Sequence, residues 1–179
     1  MDRAEPKLIN FVLATDISQR MRVALEISAV AAIIMILTAI ASNTYRHYIA
    51  ITQVSEGLSL VSTRKVDMVE YRAIHGSWPK PSDNELRMPD NNDFGLGKFV
   101  SEVSLTPNGG VDIVFSSDNA STSLRGKTLT LRLATVKENS SGPVSLVCGD
   151  GVLPPGLTSS AANRTSIAGV DLPSFCRSR

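Results

Sequence analysis

The sequence is poor in the residues that build most catalytic and metal sites: it has two cysteines, two histidines and one tryptophan, and aromatic residues make up 5% of it. Cys148 and Cys176 lack CxxC spacing and lie far from His47 and His75, which leaves a zinc site without support. Scattered aromatics cannot form the interleaved basic and aromatic rows that stack single-stranded bases. Nor is there an excess of one charge. Lys and Arg number 18 against 17 Asp and Glu, for a net charge of +1, so no broad basic field attracts polyanions and nucleic acid is not the default partner. Both histidines fall in one long helical stretch, and no Ser, Cys or carboxylate pair stands at a recognised spacing around them, which argues against an enzyme. Gly95-Leu96-Gly97 lacks the third glycine and the strand-to-helix setting of a phosphate loop. Asp90 and Asp93 suit calcium by composition, yet their Asn- and Asp-rich surroundings read as an ordinary loop. No cofactor is implied.

What the chain does have is a long apolar run. From Ile27 to Tyr45 it reads ISAVAAIIMILTAIASNTY, with no charge between Glu26 and Arg46. About 19 residues at roughly 1.5 Å each nearly cover a hydrocarbon thickness of about 30 Å. Ser28, Thr38, Ser42 and Asn43 make the run less apolar than an average span. Flanking charge gives only a slight bias toward a cytoplasmic N-terminus, because Arg3, Lys7, Arg20 and Arg22 precede the run while Arg46, Arg64 and Lys65 follow it. Ala39-Ile40-Ala41 fits the pattern that signal peptidases favour, so a cleaved secretory signal competes, although the preceding stretch is long and mixed in charge. A plain single-span anchor for a soluble domain is a second competitor.

Helical character continues past Tyr45. Ile51, Val54, Leu58, Val61 and Met68 recur at helical steps and form one apolar face. Gly76 supplies a C-terminal cap and Pro79 a stop, so one helix is expected from about Val23 to His75, on the order of 80 Å long. Half of it needs lipid or other helices, and the other half offers a stripe for a sheet to cover. Gly57 weakens its middle by about 1 kcal/mol relative to Ala. A fragment starting near Ser55 is expected to keep enough of the stripe, through Leu58, Val61 and Met68, to be soluble and monomeric.

The stretch KPSDNELRMPDNNDFGLG reads as an irregular connection. KFVSEVSL and VDIVFSS then flank Pro107-Asn108-Gly109-Gly110, where the glycine pair is expected to supply positive φ for a hairpin. In KTLTLRLA, Leu129, Leu131 and Leu133 point one way while Thr128, Thr130 and Arg132 point the other. With VSLVC as a fourth strand, the sheet is expected to be antiparallel, its Leu face packed on the helix stripe. The tail has no periodicity and several Pro and Gly. The two cysteines sit together in this Gly-, Pro- and Ser-rich quarter, which suggests a pair. In an oxidising compartment a bridge closing about 28 residues would stabilise the fold by roughly 3–4 kcal/mol in the chain-entropy model; two reduced thiols are the alternative. On this reading the tail depends on the bridge for its order. Asn119-Ala-Ser121, Asn139-Ser-Ser141 and Asn163-Arg-Thr165 match the N-glycosylation pattern and read as coincidental.

From Glu26 to Arg177 the chain resembles the type IV pilins of Gram-negative bacteria. The helix LTAIASNTYRHYIAITQVSEGLSLVSTRKVDMVEYRAIHGSWP with its Trp-Pro exit is similar to the pilin helix. GKFVSEVSLTPNGGVDIVF, LRGKTLTLRL, VSLVC and DLPSFCR follow in the pilin order, and the cysteines fall where such pilins carry their disulfide. The resemblance implies an α+β fold in five parts. Residues 1–21 form a leader-like segment, and 22–75 a long helix with its transmembrane part at 27–45. A connection at 76–97 leads to a four-stranded antiparallel sheet at 98–148 and a disulfide-closed loop at 149–179. It also implies a filament subunit that polymerises with other pilin subunits through the apolar helix, after passing through the inner membrane and its assembly machinery. The displayed domain would then serve adhesion to host or abiotic surfaces, twitching motility or uptake. A non-polymerising pilin-like membrane protein is the alternative. Pilins carry Gly before the cleaved bond, Phe after it and Glu a few residues on; the matching positions here are Met21, Arg22 and Glu26, so only the Glu agrees. The helix-loosening Gly and Pro of many pilins correspond to Met35 and Asn43, which implies a continuous helix. In the family the Glu answers the amino terminus of a neighbouring subunit. Arg22, one turn before Glu26, is placed to supply positive charge instead, within the chain or between chains, unless Glu26 lies in water at the headgroup level.

Overall fold

The computed structural model describes residues 5–82, 97–136 and 142–178. The greater part of the 76–97 connection, with Asp90 and Asp93, and the Asn139 pattern lie outside the described residues. The chain divides into two compact units between Tyr45 and Arg46.

Helix α1 spans Glu5–His75. Its end is the expected one: Gly76 takes φ +72° and its N–H donates to the Arg72 carbonyl at 2.8 Å, which satisfies one of the last open carbonyls. Its start lies well upstream of Val23. The stretch from Glu5 to Met21 contains no glycine, and its one proline, Pro6, falls in the first turn, where a missing N–H costs nothing. The helix is unbroken at Met35 and Asn43, as neither residue interrupts the backbone hydrogen-bond ladder.

In the unit from Arg46 onward, four strands lie in the order β1 (Val100–Thr106), β2 (Gly110–Phe115), β3 (Thr128–Val136) and β4 (Ser145–Cys148), all antiparallel. A fifth, two-residue strand absent from the sequence reading, β5 (Leu157–Thr158), pairs with the end of β3 at Thr135 and Val136. It lies in the Pro-rich tail, where two residues give no periodicity to read. The β1–β2 turn corrects the expected glycine pair: Asn108 (φ 64°) and Gly109 (φ +80°) take the left-handed conformation. Gly110 instead opens β2, packed so close to Thr106 that a side chain there would collide with its hydroxyl.

The core joins one face of α1 to one face of the sheet. Val54, Val61 and Met68 are fully buried with Ile113, Phe115, Leu129, Leu131 and Leu133, and each such side chain contributes about 1.5–3 kcal/mol. The helix face starts a turn earlier than Ser55: Ala50 and Gln53 are buried too, whereas Ile51 and Leu58 are only half-buried. Gly57 lies at the closest approach of helix and sheet, where an added Cβ would stand 3.1 Å from Ile113 Cγ2.

The opposite sheet face is not simply solvated. Thr130 is fully buried and Asp112 nearly so, because the tail from Asn163 to Ser166 crosses over them. Ile167 and Leu172 enter the core, so the tail is held by packing as well as by the bridge.

Candidate functional site

Two regions qualify: the apolar part of α1 and the disulfide-closed tail. In the first, every side chain from Gln19 to Arg46 is exposed, including Ile33, Ile34, Ile36, Leu37 and Ile40. This is one helix long and apolar enough, by length and composition, to cross a membrane. Its hydroxyls are satisfied along the helix itself. Ser28 donates to Leu25 O at 2.8 Å, Thr38 to Ile34 O at 2.8 Å, Ser42 to Ala39 O at 3.0 Å and Thr44 to Ile40 O at 3.3 Å. Polar residues of this kind therefore present no open donor to an apolar surrounding. Met21, Arg22 and Glu26 are all exposed on the same stretch, and among the described residues neither Arg22 nor Glu26 forms an ion pair. Glu26 thus stands as an unanswered carboxylate at the edge of the apolar run, a costly arrangement in lipid unless a positive group meets it.

In the second region Cys148 and Cys176 form a disulfide, with Cα atoms 4.6 Å apart. Around it, the Asp150 N–H donates to Cys176 O at 3.0 Å and the Gly151 N–H to Cys148 O at 2.9 Å. Arg177 turns back on the tail, donating from Nε to Leu172 O at 2.8 Å and from Nη2 to Val170 O at 3.2 Å. Val152, Val170 and Phe175 are exposed on its surface.

Three polar side chains of α1 tie the displayed unit together, and sequence reasoning missed them all. His47 Nδ1 lies 2.6 Å from Asp171 Oδ1 in the tail. Gln53 Oε1 accepts the Ser121 N–H at 2.8 Å. Glu56 Oε1 accepts the N–H groups of Lys98 and Phe99 at 2.6 and 3.1 Å, fixing the entry to β1 with charge-assisted bonds. On the far sheet face Thr130 donates to Asp112 at 2.7 Å and accepts the Arg164 N–H at 2.9 Å, while Arg164 Nη2 lies 2.9 Å from Asp112 Oδ2. Asn163, read as a coincidental glycosylation pattern, donates to Asp150 at 2.6 Å and accepts the Thr165 N–H at 3.1 Å, so it builds an Asx turn. The available signal was a polar residue at an otherwise inward position, as with Gln53 beside Val54 or Asp112 inside VDIVF. His75 closes the helix, its ring stacked on Tyr71 at 4.1 Å between centroids.

A profile of the pilin family (bacterial filament) matches residues 50–176. The chain belongs to the pilin family. It is 35% identical over 128 residues to the type IV major pilin protein PilE of Neisseria gonorrhoeae, covering 72% of each chain. It is 32% identical over 161 residues to a fimbrial protein of Neisseria meningitidis serogroup A, covering 86% of this chain and 91% of that one. A third relative, fimbrial protein EcpC of Eikenella corrodens, is 33% identical over 116 residues, 60% of this chain and 70% of the relative. Pilins are structural subunits rather than enzymes, and membership implies a pilus-subunit role with self-association into filaments at the cell surface. The long apolar helix, antiparallel sheet and C-terminal disulfide are those of the type IV pilin fold.

Proposed function

We propose that this pilin polymerises with like subunits through residues 22–45 of α1 and displays the unit from Arg46 onward for adhesion, motility or uptake. The observation that carries the reading is an apolar helix with every side chain exposed, followed by a unit that satisfies its own core. An apolar surface of that length is stable only in lipid or against other helices. The subunit accordingly resides in the inner membrane until the pilus machinery extracts it. Glu26 and Arg22 are the assembly residues, and the Met21–Arg22 bond is the candidate processing site.

Glu26→Ala should lower incorporation into filaments without unfolding the displayed unit. The swap Arg22→Glu with Glu26→Arg should restore some assembly if the two charges answer each other, within the chain or between subunits. It should fail if Glu26 answers only an amino terminus released at Arg22. Mass spectrometry of surface material separates these: a chain beginning at Arg22 establishes cleavage, and one retaining Met1 leaves Arg22 as the partner. Met21 and Arg22, in place of the family's Gly and Phe, favour a second reading, a pilin-like inner-membrane protein that does not polymerise; normal filaments from the wild type would exclude it.

A further inference from the structure

Between the end of α1, the β1–β2 turn and β5 lies an open cleft of about 730 Å³, in the size range of small-ligand sites. Its character is set by a stack. Trp78 packs against Gly109, where a Cβ would come within 2.8 Å of the indole, and the Arg72 guanidinium lies over the same ring, 4.3 Å from its centroid. Stacking engages the face of a guanidinium and leaves its in-plane N–H edge to pair with a carboxylate or phosphate in a fork. Arg72 Nε and Ser159 Oγ, on two of the residues that line the cleft, are buried with no hydrogen-bond partner. Native proteins rarely leave such groups unmet, and a ligand is one way to meet them.

Charge and size narrow the ligand. Arg72 and Lys80 both line the cleft, with no Asp or Glu among the described residues that do so, and the guanidinium fork of Arg72 takes an anion. The volume far exceeds a bare phosphate. Asn108, Thr135, Thr158 and Ser160 supply further groups that both donate and accept, which suits a ligand carrying many hydroxyls. We propose that this cleft binds an acidic saccharide, its carboxylate or phosphate on Arg72 and its hydroxyls on the Ser, Thr and Asn side chains.

The proposal goes beyond filament assembly and fails separately from it, because the cleft lies wholly within the unit from Arg46 onward. Trp78 is the one tryptophan in the chain, so intrinsic fluorescence of the full chain reports on the cleft directly. The protein, held in a polyoxyethylene detergent without a sugar headgroup, is titrated with tetragalacturonate, with neutral galactotetraose and with inorganic phosphate. A saturable change with tetragalacturonate is expected, at least tenfold weaker with the neutral sugar and with phosphate. Arg72→Gln should weaken binding tenfold or more. Arg72→Lys, which keeps the charge without the fork, should also weaken it, and Ser159→Ala should do so a few-fold with the sheet's circular dichroism unchanged. The proposal is overturned by the absence of a saturable response, by equal binding of the neutral sugar, by phosphate saturating at the same concentration, or by wild-type binding in both Arg72→Lys and Ser159→Ala.

Discussion

Gly57 shows how one position couples helix to sheet. Its missing side chain lets α1 approach until an added Cβ would lie 3.1 Å from Ile113 Cγ2 and 3.5 Å from Phe115 Cζ. Gly57→Val gains a few tenths of a kcal/mol in helix propensity but overpacks this contact by about 1–3 kcal/mol. A net loss of about 1–2 kcal/mol is therefore expected, read as a lower denaturant midpoint at unchanged slope. Thr130 presents the opposite case, a buried polar group that cannot be traded for its apolar isostere. Thr130→Val would leave Asp112 Oδ1 without its hydroxyl donor and the Arg164 N–H without its acceptor. A loss of about 1–3 kcal/mol is expected, together with faster amide exchange at Arg164. An unaltered Arg164 amide would mean that the tail is held there by its other ties, Ser166 to Thr128, Thr165 to the Thr130 N–H and Arg164 to Asp112.

Among the elements, the helix, the four longer strands and their antiparallel pairing were legible because each carries a period: 3.6 along Val54, Val61 and Met68, and 2 along Leu129, Leu131 and Leu133. The short β5, the polar ties of His47, Gln53 and Glu56, and the cover over Thr130 were not, since they join residues far apart in sequence and leave no local pattern. That difference moves the boundary of the displayed unit. Ala50, Gln53 and Val54 are buried, so a fragment beginning near Ser55 loses the Val54 side chain and the Gln53 bond to Ser121. These together are of the order of 2–4 kcal/mol, a large share of a typical stability of about 5–15 kcal/mol. A fragment beginning at Arg46 should be soluble with a cooperative transition; one beginning at Ser55 should aggregate or melt without one. The disulfide belongs to this scale too. Replacing both Cys148 and Cys176 by Ser should cost about 2–4 kcal/mol. Hydrogen exchange should quicken first at Asp150 and Gly151, whose acceptors are Cys176 O and Cys148 O. The Ser166 amide, held by Thr128 O at 2.9 Å, should keep its protection; its loss alongside the others would show that the tail has no order beyond the bridge.

At the scale of the whole molecule, the chain combines a unit that buries its own core with a helix that buries nothing from Gln19 to Arg46. The site residues Glu26 and Arg22 were legible only through the resemblance to pilins, as no fold contact singles them out; their meaning depends on neighbours outside the chain. The direct measurement is therefore made on filaments. Surface material sheared from cells that express the chain, separated from membranes and analysed by mass spectrometry, should contain this polypeptide with Cys148 and Cys176 bonded, in quantities that fall for Glu26→Ala while the displayed unit keeps its disulfide. Recovery of the wild-type chain from inner-membrane fractions alone, with none in the sheared filaments, would contradict the account.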